Sequence, residues 1–260
     1  MEILSNVEIV DLALYFNSTL VIADVHIGYE ESLNKQGILV PRLQFEEIVK
    51  RINNIFRLLK NKKIDTIIIN GDLKHEFGAI SEQEWRNTLK FIDLLAKHCN
   101  GIILIKGNHD TILGPIAKKR NVNVVDYYTV EPLTRKPNNE KQSILKKIIK
   151  KQQKILIAHG DKIPKEALKD VSTIVIGHEH PAVSLKEGAR IEHFKCFLKG
   201  KYKGKSLIVQ PSFNTLIEGT DVLREAILSP FLKQNLDSFE VFAVEDKVYS
   251  FGKLRNLRRN

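Results

Sequence analysis

Short apolar runs alternate with amphipathic stretches along the chain, and the hydrophobic period changes from one to the next. Between Val7 and Ala23 apolar and polar residues alternate at period two and break at Asn17-Ser18, which predicts a hairpin of two strands. From Pro41 to Leu59, Phe45, Ile48, Val49, Ile52, Ile55, Phe56 and Leu59 recur at helical spacing, with Pro41 placed for a first turn. Asp65–Ile69 predicts a buried strand. Ser81 with Glu84 forms a capping-box pattern that opens a helix through Trp85, Leu89, Ile92 and Leu95. Apolar strands are predicted again at Gly101–Ile105, Val122–Tyr127, Ile155–Ala158 and Thr173–Ile176. The pattern then turns to β alone, with Arg190–Leu198, a Lys-rich turn around Gly204, Ser206–Gln210, and a hairpin near Glu240–Phe251. Helices alternating with short apolar strands predict layered α/β architecture. No repeat or composition break interrupts residues 1–260, which read as one domain.

Residues 132–153 look like an insertion into that domain. Pro137-Asn138-Asn139 is loop chemistry, and Ile144, Leu145, Ile148 and Ile149 among lysines predict a short amphipathic helix that covers the core by default, with a membrane surface or a partner as the alternatives. The charge excess concentrates here. The chain carries a net +10, and Arg135, Lys136, Lys141, Lys146, Lys147, Lys150, Lys151 and Lys154 face only Glu140. Lys253, Arg255, Arg258 and Arg259 add to it in the tail, where Leu254–Arg259 is expected to be disordered, and the remainder is close to neutral. Segment 135–154 and the C-terminal tail are therefore the places where nucleic acid would find sequence-independent phosphate affinity. The plainer reading is a solvated Lys-rich face of the kind heat-adapted proteins carry.

At 43% hydrophobic and 28% charged, the composition is that of a globular protein. No apolar run reaches the length of a membrane span, and the N-terminus lacks the basic region of a secretory signal. Cys99 and Cys196 sit in apolar contexts and read as buried thiols of a cytoplasmic protein. Subunit number is not legible.

The chemistry gathers just after the apolar strands. Val21-Ile22-Ala23 leads into Asp24-Val25-His26, and Ile67-Ile68-Ile69-Asn70-Gly71 into Asp72. Ile105-Lys106-Gly107 leads into Asn108-His109-Asp110, Ile157-Ala158 into His159, and Val175-Ile176-Gly177 into His178-Glu179-His180. In layered α/β folds the carboxyl ends of sheet strands open on one crevice. Six of the 8 histidines lie at or just after such ends, whereas His98 and His193 do not and read as structural. Mixed carboxylate, imidazole and amide donors suit Mn²⁺, Fe²⁺, Zn²⁺ or Co²⁺. Two such ions about 3.5–4 Å apart clamp a phosphate and lower the pKa of a bridging water, so that hydroxide attacks phosphorus in line.

In motif order the chain resembles the calcineurin-like metallophosphoesterases: Asp24-x-His26, Gly71-Asp72, Gly107-Asn108-His109-Asp110, a lone His159 and Gly177-His178-x-His180. The resemblance implies an α/β four-layer αββα sandwich, two mixed β-sheets flanked by helices. It implies two divalent metal ions, Mn²⁺ foremost, with Fe, Zn, Ni and Co as alternatives. By analogy Asp24, His26, Asp72 and His180 hold one metal, and Asp72, Asn108, His159 and His178 hold the other, with Asp72 bridging. Asp24–Glu30, Gln36–Pro41, Lys195–Leu198 and Pro211–Asn214 are similar to a narrower branch, the DNA-ligase-associated (ICC-like) predicted phosphoesterases.

Five further residues carry expected roles. His109, next to Asn108, is placed to protonate the leaving alkoxide or steady the oxyanion. Asp110 either orients His109 and raises its pKa or caps the helix that follows. Gly71-Asp72-Leu73-Lys74-His75 resembles the motif of double-strand-break repair nucleases in which the histidine contacts substrate phosphate, although Lys74 replaces an aromatic; a plain loop histidine is the alternative. Glu179 and Asp161 flank ligands and either orient imidazoles or face solvent. The expected activity is a metal-dependent phosphodiesterase, with nuclease as its special case. The alternatives are a phosphomonoesterase or nucleotide pyrophosphatase on small substrates, and a non-catalytic binding scaffold.

Overall fold

Two mixed β-sheets pack face to face with helices outside. The computed structural model describes residues 1–77, 80–110, 113–131, 154–187 and 190–258, so the expected helix within 132–153 lies outside the described residues. The first sheet runs in chain order through β1 (Glu2–Leu4), β2 (Val7–Val10), β3 (Ala13–Phe16), β4 (Thr19–Ala23), β5 (Thr66–Asn70), β6 (Gly101–Ile105) and β7 (Asn123–Val125). Its first four strands are antiparallel and its last four are parallel. Val7–Ala23 holds three strands instead of the expected two, because Asp11, at φ 57°, turns the chain before Leu12.

The second sheet has the order β14 (Thr220–Asp221), β11 (Pro181–Glu187), β12 (Arg190–Tyr202), β13 (Lys205–Val209), β10 (Thr173–Ile176), β9 (Ile155–Ala158) and β8 (Tyr127–Val130). A hairpin of β15 (Glu240–Val244) and β16 (Val248–Lys253) joins it through β12. The predicted strand Val122–Tyr127 is divided between the sheets: β7 ends at Val125, Asp126 makes the crossing, and Tyr127 begins β8.

Alternation sorts the second sheet's residues between two cores. Ile157, Val175, Phe197, Ile208 and Phe242 face the first sheet and share one cluster with Leu20, Ile22, Ile67 and Ile69. Their neighbours Leu156, Ile174, Leu198, Leu207 and Val241 face outward into a second cluster with Phe231, Phe239 and Leu254. Complete burial of such a side chain contributes about 1.5–3 kcal/mol. Helix α1 (Tyr29–Lys35) follows β4, and α2 (Gln44–Leu58) buries Ile48, Ile52, Ile55 and Phe56. α2 begins after Pro41, with Leu43 at its N-cap, so the proline lies outside the first turn. Helix α3 (Glu82–Ala96) buries Leu89, Phe91, Ile92 and Leu95, and α4 (Gly114–Arg120) precedes β7.

The tail is ordered as far as it is described. Leu254 of the short helix α5 (Leu254–Leu257) is buried, and Arg258 meets Asp237 at 3.0 Å. Cys196 is buried, but Cys99 is only half-buried, with Sγ 3.4 Å from the Leu95 carbonyl. His98 stacks on Phe56 at 3.8 Å and His193 meets Ser184 Oγ at 3.0 Å. Among the described residues no helix is long and apolar enough to cross a membrane.

Candidate metal centre

Register brings the strand ends level. Ala23 pairs with Asn70 and Asn70 with Ile105 in the first sheet, while Ala158 pairs with Ile176 and Ile176 with Val209 in the second. The loops after β4, β5, β6, β9, β10 and β13 therefore leave the same edge of the sandwich. Asp24, His26, Asp72 and His159 are buried there, and Asn108, His178 and His180 are partly covered.

These seven side chains meet. Ligand atoms of Asp24, His26 and His180 lie within 4.8 Å of one another, as do those of Asp72, His159 and His178. Asn108 Oδ1 is 2.9 Å from His159 Nε2, and His178 Nδ1 is 3.1 Å from that same nitrogen. Asp72 Oδ2 stands between the two groups, 3.6 Å from His26 Nε2 and 3.4 Å from His159 Nε2.

Close approach is made possible by glycine. A Cβ on Gly71 would stand 2.0 Å from His159 Nδ1, and one on Gly107 would stand 2.1 Å from Asp72 Oδ1. Gly71 also has a φ of +79°, which glycine adopts without a side-chain penalty.

The donor set fits divalent cations. Asp24 Oδ1 is buried without a hydrogen-bond partner, 3.5 Å from both His159 Nδ1 and His180 Nε2, an arrangement costly for a carboxylate oxygen unless something positive lies against it. One His159 Nε2 cannot serve Asn108, His178 and Asp72 with a single proton, whereas their lone pairs can share a cation. Burial holds His26 well below the ordinary histidine value, with the His180 charge adding to it. Burial likewise takes His178 to about 4, so both imidazoles are neutral and free to ligate near pH 7. Burial, reinforced by Asp24 and Asp110, pushes Asp72 well above the carboxylate range. Burial also works to raise Asp24, but the imidazoles of His180 and His159 and the His178 amide outweigh it and keep Asp24 below that range.

His75 and His109 line one side of the cluster. His75 Nδ1 is 3.4 Å from His26 Nδ1, its ring meets Tyr29 at 4.8 Å, and burial lowers it to about 4. His109 donates from Nδ1 to the His75 carbonyl at 2.5 Å, and Phe77 lies against its ring at 3.8 Å. Burial lowers His109, and the His75 carbonyl partly offsets this.

Among the described residues Asp110 makes no bond to the His109 side chain. Its carboxylate accepts from the amides of Gly107 at 3.0 Å and of Leu73 and Lys74 at 3.4 Å, and α4 is capped at Leu113. Among the described residues Glu179 makes no bond to an imidazole. It is buried and accepts from the amides of Leu228 and Ser229, fixing that loop beneath the site. Asp161 is partly exposed and pairs with Lys162 at 3.6 Å.

Several supporting residues escape motif reading. Lys74 is wholly buried, and its Nζ donates to the carbonyls of His109, at 2.6 Å, and Glu76. Glu84 makes only half of the capping box. Its amide reaches Ser81 Oγ at 3.1 Å, but its carboxylate accepts from the amides of His75 at 2.8 Å and Glu76 at 3.0 Å. Gln44, at the first position of α2, donates to the His26 carbonyl at 2.9 Å. The capping pattern was the one available signal for Glu84; a buried lysine in a loop gives none.

A sandwich of two mixed sheets with buried carboxylates and imidazoles at one edge is a metallophosphoesterase architecture. The profile of the calcineurin-like phosphoesterase family matches residues 18–199, and the chain belongs to that family. Among solved structures it is similar to the nuclease MPE of Pseudomonas putida, at 19% identity and TM-score 0.58, over 94% of this chain and 93% of that one. It also matches AQ665 of Aquifex aeolicus, a protein of unknown function, at 19% identity and TM-score 0.35, over 62% of this chain and 78% of that one. Vacuolar protein sorting 29 of Cryptosporidium parvum matches at 16% identity and TM-score 0.37, over 90% and 97%. No curated protein matches the chain in sequence.

Proposed function

We propose that the protein is a divalent-metal-dependent phosphodiesterase, with polynucleotide as the diester to test first. The observation that supports this most is Asp72 Oδ2 between two donor groups, 3.6 Å from His26 Nε2 and 3.4 Å from His159 Nε2. Asp24, His26, Asp72 and His180 would hold one cation, and Asp72, Asn108, His159 and His178 the other. Mn²⁺ is the first choice for this oxygen and nitrogen set, with Fe, Zn, Ni and Co as alternatives. Bound there, the pair supplies a lowered water pKa and a clamp on phosphoryl oxygens.

The chain's own residues do the rest. His75 and His109 form a wall of imidazole beside the phosphate position, with ring centroids 5.1 Å apart. His75, neutral at pH 7, offers an N–H to a phosphate oxygen and leaves room for a second ester arm, which favours diesters. The His75 carbonyl fixes His109 with its proton on Nδ1, so Nε2 is the atom that handles the leaving-group proton. An anionic phosphate beside that ring offsets the burial that lowers its pKa.

The likeness to a nuclease is one of fold, and it sets the order of substrates to assay. Free thiols at Cys99 and Cys196 suit a reducing cytoplasm. Phosphate affinity from segment 135–154 and the tail would add nucleic acid to the partners. The test is Mn²⁺-loaded protein on a chromogenic diester and its monoester. Faster diester cleavage is expected, whereas preferential monoester cleavage would turn the reading to a phosphomonoesterase or small-nucleotide pyrophosphatase. Inactivity on both with metal bound would leave a binding scaffold.

A further inference from the structure

Lys195 stands on the inward face of β12, two residues before Phe197, where alternation otherwise directs apolar side chains between the sheets. Its amine donates to the carbonyls of Ser212, at 2.9 Å, and Asn214. That loop in turn grips the loop after β4. Phe213 N donates to the Ala23 carbonyl at 2.8 Å, Ser212 Oγ to the Asp24 carbonyl at 2.7 Å, and Asn214 Nδ2 to the His26 carbonyl at 3.3 Å. The amides of the same loop are held from the other side, Asp24 N by Gly71 O at 3.2 Å and His26 N by Asp72 O at 2.8 Å.

The grip falls where the backbone is least content. Asp24 has a φ of 54° and His26 a φ of 45°, left-handed conformations that persist in non-glycine residues only when surrounding bonds enforce them. The first sheet satisfies the Asp24 and His26 amides, and the second sheet, through residues 212–214, satisfies the Ala23 and Asp24 carbonyls and shares the His26 carbonyl with Gln44 Nε2 at 2.9 Å. No bond from Ser212, Asn214 or Lys195 to Asp72, Asn108, His159 or His178 is present among the described residues.

We propose that Lys195, Ser212 and Asn214 form a tether from the second sheet that holds Asp24 and His26 in their left-handed turn, and thereby sets the affinity of the metal position those two build with His180. Lys195 is a positioning residue here and touches no reacting atom. Burial and the nearby Arg51 bring its amine down to about 7. The neutral amine still has two N–H donors for two carbonyls, so the tether survives loss of the proton. The inference rests on the two-metal reading of the site.

The test is calorimetric titration of metal-free protein with Mn²⁺, on wild type, Lys195→Met and Ser212→Ala, with thermal melts to establish folding. Wild type is expected to take up two ions. Each folded variant should lose at least about tenfold in affinity at one position, on the scale of one lost charge-assisted or neutral hydrogen bond, while the other changes less than about threefold. Should Lys195→Met fail to fold, Ser212→Ala decides alone, since it removes one hydroxyl and keeps the lysine. Wild-type isotherms in the folded variants, or equal losses at both positions, would overturn the tether. Wild type that binds no Mn²⁺ would overturn the two-metal reading itself, a separate outcome.

Discussion

Gly107→Ala separates the geometry of the candidate metal centre from the stability of the fold. A Cβ at this position would stand 2.1 Å from Asp72 Oδ1 and 2.4 Å from the Asp72 backbone nitrogen, where ordinary contact begins at 3.4 Å. The carboxylate must therefore retreat by the difference between 3.4 and 2.1 Å, about 1.3 Å. A side-chain rotation alone cannot absorb this, because the backbone nitrogen is also too close. Oδ1 accepts from the His109 amide at 2.8 Å, so the displacement carries the His109 loop with it. Misplacing reacting groups by 1 Å costs on the order of 100-fold in rate. Overpacking costs about 1–3 kcal/mol of stability, which lowers the melting temperature by about 2–4 °C per kcal/mol at this chain length. Gly101→Ala is the control: apart from its chain neighbours, an added Cβ at the start of β6 meets no atom within 4 Å, and both activity and melting should hold or improve. The assay is Mn²⁺-dependent diester turnover beside a thermal melt for each variant. Gly107→Ala with wild-type turnover would refute the claim that Asp72 must stay where the structure has it.

Other consequences follow from protonation, the imidazole wall and the charge. Burial raises Asp72 above the carboxylate range, so Mn²⁺ binding near pH 7 should displace about one proton and tighten as pH rises. Calorimetry in buffers of different ionisation heat reads that proton, and buffer-independent heats would contradict it. The sign for stability is opposite. The folded pKa of Asp72 lies above its unfolded value of 3.8, so metal-free protein loses stability as pH climbs from there through the folded pKa, a slope that Asp72→Asn should flatten in melts. His75→Ala keeps the backbone bonds of that residue, to Ile27, Glu84 and His109, and should cut diester turnover by at least about tenfold at unchanged Mn²⁺ content; matched loss of metal and turnover makes His75 structural. If segment 135–154 and the tail hold phosphates, polynucleotide affinity falls steeply with salt in a binding series, and a flat series removes them as the interface.

The sequence was most legible where chemistry and secondary structure share a boundary. An apolar strand must end in a polar loop, and in a parallel arrangement those loops share an edge, so Asp24, Asp72, Asn108, His159 and His178 could be gathered from the chain alone. What held them was less legible, because it consists of contacts between loops remote in sequence. Glu84 carries a capping signature, yet its carboxylate serves His75 and Glu76. Asp110 has the residue type of a cap, but three amides of two loops claim its oxygens before the helix begins. Val122–Tyr127 reads as one strand because nothing in its apolar run marks Asp126 as the crossing between sheets.

Backbone conformation explains why these residue types recur at the strand ends. Asp24, His26, Asp72, His178 and His180 all have positive φ, between 45° and 66°. Each such residue costs about 1 kcal/mol or more, and among non-glycine types Asp, Asn and His tolerate the left-handed region best. The candidate ligand side chains are thus also those that bear the turn needed to aim them inward from a strand end. Bonds such as His26 N to Asp72 O at 2.8 Å and Gly177 N to His159 O at 2.8 Å enforce the turns before any cation arrives. Substituting one ligand by a β-branched residue would then strain the turn as well as remove a donor. Loss of function at these positions therefore reports conformation and chemistry together, and small, isosteric changes such as Asp72→Asn are the ones that separate them.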